Sequence, residues 1–430
     1  MKLNRRQCLM ATAGLPLAGV FGAMRASAFS GPEGEKPAGA DMAPPVPGTL
    51  PDKGSFILGS DDIYFNSGSQ HPVSKGARLA IDNYYASRMR DPDLGDYRLQ
   101  NNGPLEKFAR LMNADISELT YVQSTTTGEQ MVLKALGLPD GKSHIITDTL
   151  HFFGSLPLYA EMEKQGNKVT WLRERDGRID LEDMRKALKG GAKLVSLSLV
   201  STINGFQHDL KAVCDMAHAA GAYVYADIIH AAGCVPVDLH ASGVDFAATA
   251  SYKWLMGDFG LGFLYVRKQV QDDLKRTNYG YYGMNAFAPH IYPFDEPGDT
   301  IVDYGFSPNA AGQFALGTYS HSVVAQLNHS LDYIQALGVE NIQTHAQAIT
   351  SYLKQALPEL GYTLYTPLDA QTPMVSCVLE DARTKLGALM KAHNISLSIS
   401  KNRFRFSVSV FNTLDEAKHV VEVLKKAAAG

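Results

Sequence analysis

The sequence predicts an α/β fold built on a mixed, mostly parallel sheet, and three observations carry that prediction. From Ser55 onward, short apolar runs of strand length alternate with longer amphipathic runs. The two residues with the clearest chemistry, Asp227 and Lys253, stand at or just beyond the carboxyl ends of such runs, where open α/β sheets bind ligands. With 430 residues, 45% of them hydrophobic and 20% charged, the chain is too long for one compact core, which points to two structural domains.

Residues 1–28 have a basic start with Arg5-Arg6, an apolar run from Cys8 to Met24 and an Ala26-Ser27-Ala28 ending, the layout of an export signal. Paired arginines before a mild apolar run resemble a twin-arginine signal, although Asn4, Cys8 and Met10 depart from its preferred residues. Its removal takes Lys2, Arg5, Arg6 and Arg25 and no acid, which deepens the formal charge from -4 to -8. A periplasmic location follows from this reading, with the membrane met only during export. Residues 29–54 are rich in Pro, Gly and Ala without apolar periodicity and read as a linker. Within a large domain over 55–310, the strands expected are His144–Asp148, Leu194–Val200, Ala222–Ala226, Phe246–Ala250 and Gly262–Val266. Helices are expected over Leu156–Gln165, Leu181–Leu188 and Leu210–Ala220, and Tyr279–Pro308 reads as irregular. A smaller C-terminal α+β domain, 311–430, begins with a helix near Ser320–Leu337 and includes a strand over Arg405–Val410 and a closing helix, Leu414–Ala428.

Forty Lys and Arg against 44 Asp and Glu, with no basic tract, exclude a nucleic-acid footprint. Four cysteines without a CxxC pair exclude a disulfide scaffold. The chemistry concentrates between Tyr223 and Arg267. There, Lys253 is placed to form a Schiff base and Asp227 to hold a protonated ring nitrogen, as pyridoxal phosphate requires. A lone strand-end aspartate is commonly a cap and a lone lysine a solvated charge; the pair, with His230 between them, outweighs those readings. Upstream, Ser124-Thr125-Thr126-Thr127 ends a strand and opens a helix, which makes an anion site of its hydroxyls and free N–H groups. Strand alternation sets Arg403 and Arg405 on one face, and a guanidinium suits a carboxylate.

These residues resemble the class V pyridoxal-phosphate enzymes, a family of cysteine desulfurases, kynureninases and isopenicillin N epimerase-like proteins, from about Tyr64 to Leu424. The resemblance implies the pyridoxal-phosphate-dependent transferase fold of type I and a homodimer with shared active sites. It assigns Lys253 to the cofactor's imine, Asp227 to the pyridine nitrogen, and Thr125 and Thr126 to the phosphate. His230 in Asp-Ile-Ile-His-Ala and Tyr252 before the lysine match the kynureninase and epimerase branches, with Tyr252 reaching the phosphate. Thr318 matches a threonine supplied to the phosphate by the neighbouring subunit. Either His151 or Phe152 stacks on the cofactor ring, with His151 preferred. Thr202 falls near the phenolic oxygen, where many relatives have Asn. Arg405 corresponds to the clamp of the substrate carboxylate, and Asn66 with Ser67 to the segment covering the substrate.

Transamination is the leading expectation, with oxidative deamination or decarboxylation, epimerisation and C–S or C–C lysis as alternatives. A non-catalytic periplasmic binding protein is the alternative of another class. Residues 392–403 are short and lack cysteine, so desulfurase activity is not expected. Export, by analogy with exported class V relatives, suggests a pyoverdine-type siderophore whose glutamate side chain is tailored.

Overall fold

The computed structural model describes residues 50–51, 53–90 and 103–428, so the expected export signal, 1–28, and most of the expected linker, 29–54, lie outside the described residues. The described residues group as one compact unit. Its strands are β1 (Ile63–Tyr64), β2 (Leu119–Val122), β3 (His144–Asp148), β4 (Lys168–Leu172), β5 (Leu194–Ser198), β6 (Tyr223–Asp227), β7 (Phe246–Ala250), β8 (Gly262–Val266), β9 (Met284–Pro289), β10 (Val302–Phe306), β11 (Thr363–Leu364), β12 (Met374–Val378), β13 (Ile395–Ser396), β14 (Ser398–Ile399) and β15 (Arg403–Ser407).

Seven strands form the main sheet in the order β2-β8-β7-β6-β5-β3-β4. The pairs joining β4, β3, β5, β6 and β7 are parallel, and β8 is antiparallel to both β7 and β2. Strands β5, β7 and β8 are buried at every position, as expected where helices cover both faces of a sheet. Ionic or polar caps set the helix starts: Asp180 before α5 (Leu181–Leu188) and Asp209 before α6 (Leu210–Ala219) each accept a backbone N–H of the first turn. Preceding these are α1 (Lys75–Arg90), α2 (Gly103–Met112), α3 (Thr125–Ala135) and α4 (Leu156–Lys164).

Helix α3 lies directly on β7, at the heart of the sheet. A Cβ at Gly128 would sit 2.9 Å from the Cβ of Ala248, so glycine on the helix and alanine on the strand together permit the approach. At the adjoining edge, a Cβ on Gly262 would meet the Thr249 carbonyl at 2.0 Å, which only glycine avoids.

A second core forms around the antiparallel sheet β11-β12-β15-β14. Phe404 and Phe406 of β15 pack there with Leu353, Leu386, Val420 and Leu424, all sealed from solvent. The N-terminal segment joins this core: Phe65 is buried in it, β1 pairs in parallel with β13, and Asn66 bridges Ser407. The helix His321–Leu337, by contrast, buries Val324, Leu327, Leu331 and Ile334 in the large core. The stretch read as irregular contains the hairpin β9-β10, whose side chains are mostly exposed. Among the described residues, no helix is long and apolar enough to cross a membrane.

Candidate active site

Strand β6 ends on Asp227, whose carboxylate accepts the N–H of Ile229 at 2.9 Å and so starts the turn that carries His230. Gly233, at φ +91, closes that turn against the next segment: a Cβ there would lie 2.6 Å from the carbonyl of Trp254. The consequence is that the residues after β6 and after β7 meet. Lys253 Nζ stands 2.9 Å from His230 Nε2, and the Trp254 indole N–H donates to His230 Nδ1 at 3.3 Å. Lys253, His230, Trp254 and Asp227 are all buried.

Burial sets the charge states. It brings the Lys253 amine down to about 7; the Arg405 charge works in the same direction, and Asp227 opposes both. Burial raises Asp227 to about 6 despite the Ile229 N–H and the charges of His151 and Lys253. His230 is held well below the usual imidazole range by burial, then by Lys253 and Arg405. The lysine is thus poised near neutrality at the end of the sheet, beside a carboxylate that a positive ring nitrogen would return to the ionised form.

Helix α3 begins on the same sheet edge. Ser124 caps it by accepting from Thr127 N at 3.1 Å, Thr125 is buried and Thr126 is exposed. The hydroxyl of Thr125 finds no partner among the described residues. First-turn N–H groups have no acceptor inside a helix, so this terminus offers donors to an anion.

Beneath the helix lies a network that sequence reasoning missed. Glu129 is buried, and its oxygens accept from Ser155 Oγ at 2.6 Å and Tyr159 Oη at 2.6 Å, with His151 Nε2 at 3.2 Å. Burial opposes ionisation of Glu129, but His151, Ser155 and Tyr159 outweigh it and hold the carboxyl below its ordinary range. Burial likewise opposes charging of His151, and Glu129 overcomes it, leaving His151 above its usual value. The other His151 nitrogen bonds Ser198 Oγ at 2.8 Å, so both ring nitrogens are engaged and only the ring faces remain to stack. Phe152, the alternative, is half-buried beside it. The signal for Glu129 was an acid one turn into an otherwise uncharged helix start.

Strand β15 brings Arg405 to the opposite wall. Its Nη1 donates to the Thr202 carbonyl at 2.6 Å and to Thr202 Oγ1 at 2.8 Å, and Nη2 donates to Ser69 Oγ at 3.3 Å. Nε is buried and finds no partner among the described residues. Burial, with the Arg403 charge beside it, brings this guanidinium down to about 9, a state that an incoming carboxylate would relieve. Arg403 donates to the adjacent Ile203 carbonyl at 2.8 Å, so the shared face expected from alternation is used on one loop. Thr202 therefore spends its side chain on the arginine, and Asn204 is committed to the Gly177 and Tyr365 carbonyls. Asn66 lies beside Ser407, its Oδ1 buried and without a partner among the described residues. Tyr252 stacks on Phe259 at 4.3 Å, with Lys253 Nζ 5.7 Å from its ring centre. Thr318 is exposed and hydrogen-bonded to Tyr281 at 2.7 Å.

A family model described as Aminotransferase class-V matches residues 100–399. Among curated proteins, an uncharacterized aminotransferase of Bacillus subtilis is 24% identical over 82% of this chain and 91% of its own. A probable cysteine desulfurase of Pyrococcus abyssi is 26% identical over 86% and 95%. Among solved structures, a cysteine desulfurase from Thermococcus onnurineus matches with a TM-score of 0.75 at 22% identity, covering 89% of this chain and 99% of its own. A cystine C–S lyase solved with cysteine persulfide matches with a TM-score of 0.74 at 19% identity, over 85% and 98%. These matches contradict the expectation that this chain is not a cysteine desulfurase. The exclusion rested on one cysteine-free segment, 392–403, whereas similarity to proteins named cysteine desulfurases runs along most of the chain. The described cysteines, Cys214, Cys234 and Cys377, are free and buried.

Proposed function

Because the chain belongs to the aminotransferase class-V family, pyridoxal-phosphate enzymes of fold type I, we propose that it acts at Cα of an amino-acid unit, with transamination as the leading reaction. The observation that carries this reading is the buried Lys253 amine, poised near neutrality and within electrostatic reach of both Asp227 and Arg405. The residues fit pyridoxal phosphate. Lys253 suits its carbonyl, Asp227 its ring nitrogen, and the α3 terminus its phosphate, where the Thr125 hydroxyl lacks a partner among the described residues. When bound, the cofactor supplies an electron sink for charge released at Cα. Arg405 would bind and orient the substrate carboxylate, and the Lys253 amine would move the Cα proton as base and then acid. His151, Phe152 and Tyr252 border the ring site, and Thr318, exposed beside Tyr281, serves a second copy in a homodimer.

The finer proposal is an exported enzyme acting on the glutamate side chain of a pyoverdine-type siderophore in the periplasm. Arg5-Arg6 ahead of an apolar run supports export. Tyr279, Tyr292, Phe294 and Tyr304, all exposed on or beside the β9-β10 hairpin, offer surface for a substrate larger than a free amino acid.

The test is incubation of the purified, coloured enzyme with amino donors in the absence of an acceptor. Conversion to the pyridoxamine form with a donor, and its reversal by a keto acid, is the expected result. Release of sulfide from cysteine, without conversion by any donor, would replace transamination with C–S chemistry. Siderophores secreted by a deletion strain should retain an unmodified glutamate side chain; an unaltered product overturns that assignment.

A further inference from the structure

The contact between Lys253 and His230 has a direction that the neighbouring tryptophan decides. An indole N–H donates and cannot accept. Because Trp254 Nε1 points its hydrogen at His230 Nδ1 at 3.3 Å, that nitrogen must be the bare one. A neutral imidazole then carries its proton on Nε2, the nitrogen 2.9 Å from Lys253 Nζ. An ammonium group has only donors, so a protonated lysine would face a donor there.

We propose that Trp254 is a positioning residue: its indole fixes the His230 tautomer with the proton on Nε2, and this contact selects the neutral amine of Lys253. Only a neutral amine has the lone pair that attacks a carbonyl, so the tautomer readies the lysine for its cofactor. The proposal rests on the reading of Lys253 as the cofactor's lysine for its meaning, but its geometry stands without it.

The surroundings agree. His230, Lys253 and Trp254 are each at least nine-tenths buried, so water does not compete for these nitrogens. The turn that presents His230 is fixed by N–H bonds from Ala231 and Ala232 to the Ile228 carbonyl, and the Cys234 thiol donates to the His230 carbonyl at 3.2 Å. Gly233, packed on the Trp254 carbonyl, holds the two rings together. The charged and titratable groups that act on this pair are Asp227, which favours the ammonium, Arg405, which disfavours it, and Tyr252 alongside. Burial disfavours charge on both partners, so two neutral groups sharing one hydrogen is the consistent state.

The experiment uses the full-length chain stripped of cofactor, with 15N-labelled histidine. Nitrogen NMR reads which His230 nitrogen bears the proton, with His230→Gln identifying its signals, and the rate of pyridoxal-phosphate uptake against pH reads the lysine. The wild type should show the proton on Nε2 and an uptake midpoint near 7. Replacing Trp254 by Phe, or by 3-benzothienylalanine, which keeps the ring shape and lacks the N–H, should populate the Nδ1 tautomer. Nε2 then accepts from the ammonium, and the midpoint should rise by about one pH unit or more. The benzothienyl variant separates the lost hydrogen bond from lost packing. An Nδ1 proton in the wild type, or an unmoved tautomer or midpoint in the benzothienyl variant, overturns the proposal. A wild type with the Nε2 proton that takes up no cofactor at any pH overturns the functional reading and leaves the tautomer assignment standing.

Discussion

Asp227 carries a stability cost that its proposed role opposite a cofactor ring nitrogen would explain. Its carboxyl is raised to about 6 by burial against an ordinary value of 3.8, so folding favours the protonated form. The contribution is fully present below about 4 and is lost as pH rises through about 6. Near neutrality the cofactor-free protein therefore carries a penalty of about 2–3 kcal/mol, because a tenfold change in proton affinity between the folded and unfolded chain is worth roughly 1.4 kcal/mol. Asp227→Asn should stabilise the cofactor-free chain at pH 7.5 by about that amount in denaturant titration, bring no gain near pH 4, and weaken cofactor retention. Equal stability of the two proteins at both pH values would show that the carboxylate is already solvated or paired. Arg405→Lys should raise KM for an amino-acid substrate by about ten-fold or more while the visible cofactor band is kept, because a point charge replaces a fork that binds two oxygens. Unchanged KM places the carboxylate elsewhere. These two residues were legible in the sequence as a strand-end acid and an arginine on an alternating run, while the clamp role of Arg405 was implied by the family resemblance. Glu129 and Trp254 were not, since their partners Ser155, Tyr159 and His230 come from segments that only the fold brings together.

Helix α3 would link packing to cofactor binding, because its first turn is the proposed phosphate site and its second rests on β7. Gly128→Ala would bring a methyl to 2.9 Å from the Ala248 Cβ, so helix or strand must shift. The expected cost is about 1–3 kcal/mol. It should appear as a lower midpoint in chemical denaturation together with weaker pyridoxal-phosphate retention, and Ala248→Gly should recover retention in the double variant. Loss of retention with no loss of stability would assign Gly128 a contact other than packing. Elements were read well where one physical signal dominated: β3, β7 and β8 match their expected bounds, as does α5. The expected strand over Leu194–Val200 stops at Ser198, where the chain turns off the sheet toward Thr202 and the arginine. The strand carrying Arg405 begins two residues earlier than expected and ends at Ser407, because pairing with β12 extends it to Arg403. The β9-β10 hairpin escaped because its side chains are largely exposed, which removes the apolar alternation by which strands are recognised.

At the scale of the whole molecule, exposed apolar surface is the feature left to explain. Phe294 is 98% exposed, Tyr279 and Ile301 are each 70% exposed, and Tyr304 and Phe287 add to the same stretch of chain. Single exposed apolar residues are ordinary, but a cluster on one projecting hairpin marks an interaction surface. The proposed homodimer gives it a role, and the exposed Thr318 would then complete a phosphate site in the other copy. On that proposal, assembly and activity would be inseparable. Replacing Phe287, Phe294 and Tyr304 together by Ser should lower the dimer fraction in sedimentation velocity, and specific activity should fall with it as protein is diluted. Secondary structure by circular dichroism should be unchanged, since none of the three side chains is buried. If the triple variant remains dimeric yet loses activity on a large substrate while keeping it on a free amino acid, the hairpin covers substrate instead of a second copy. If the wild type sediments as a fully active monomer, the shared-site arrangement fails, and the threonine at 318 loses its assignment.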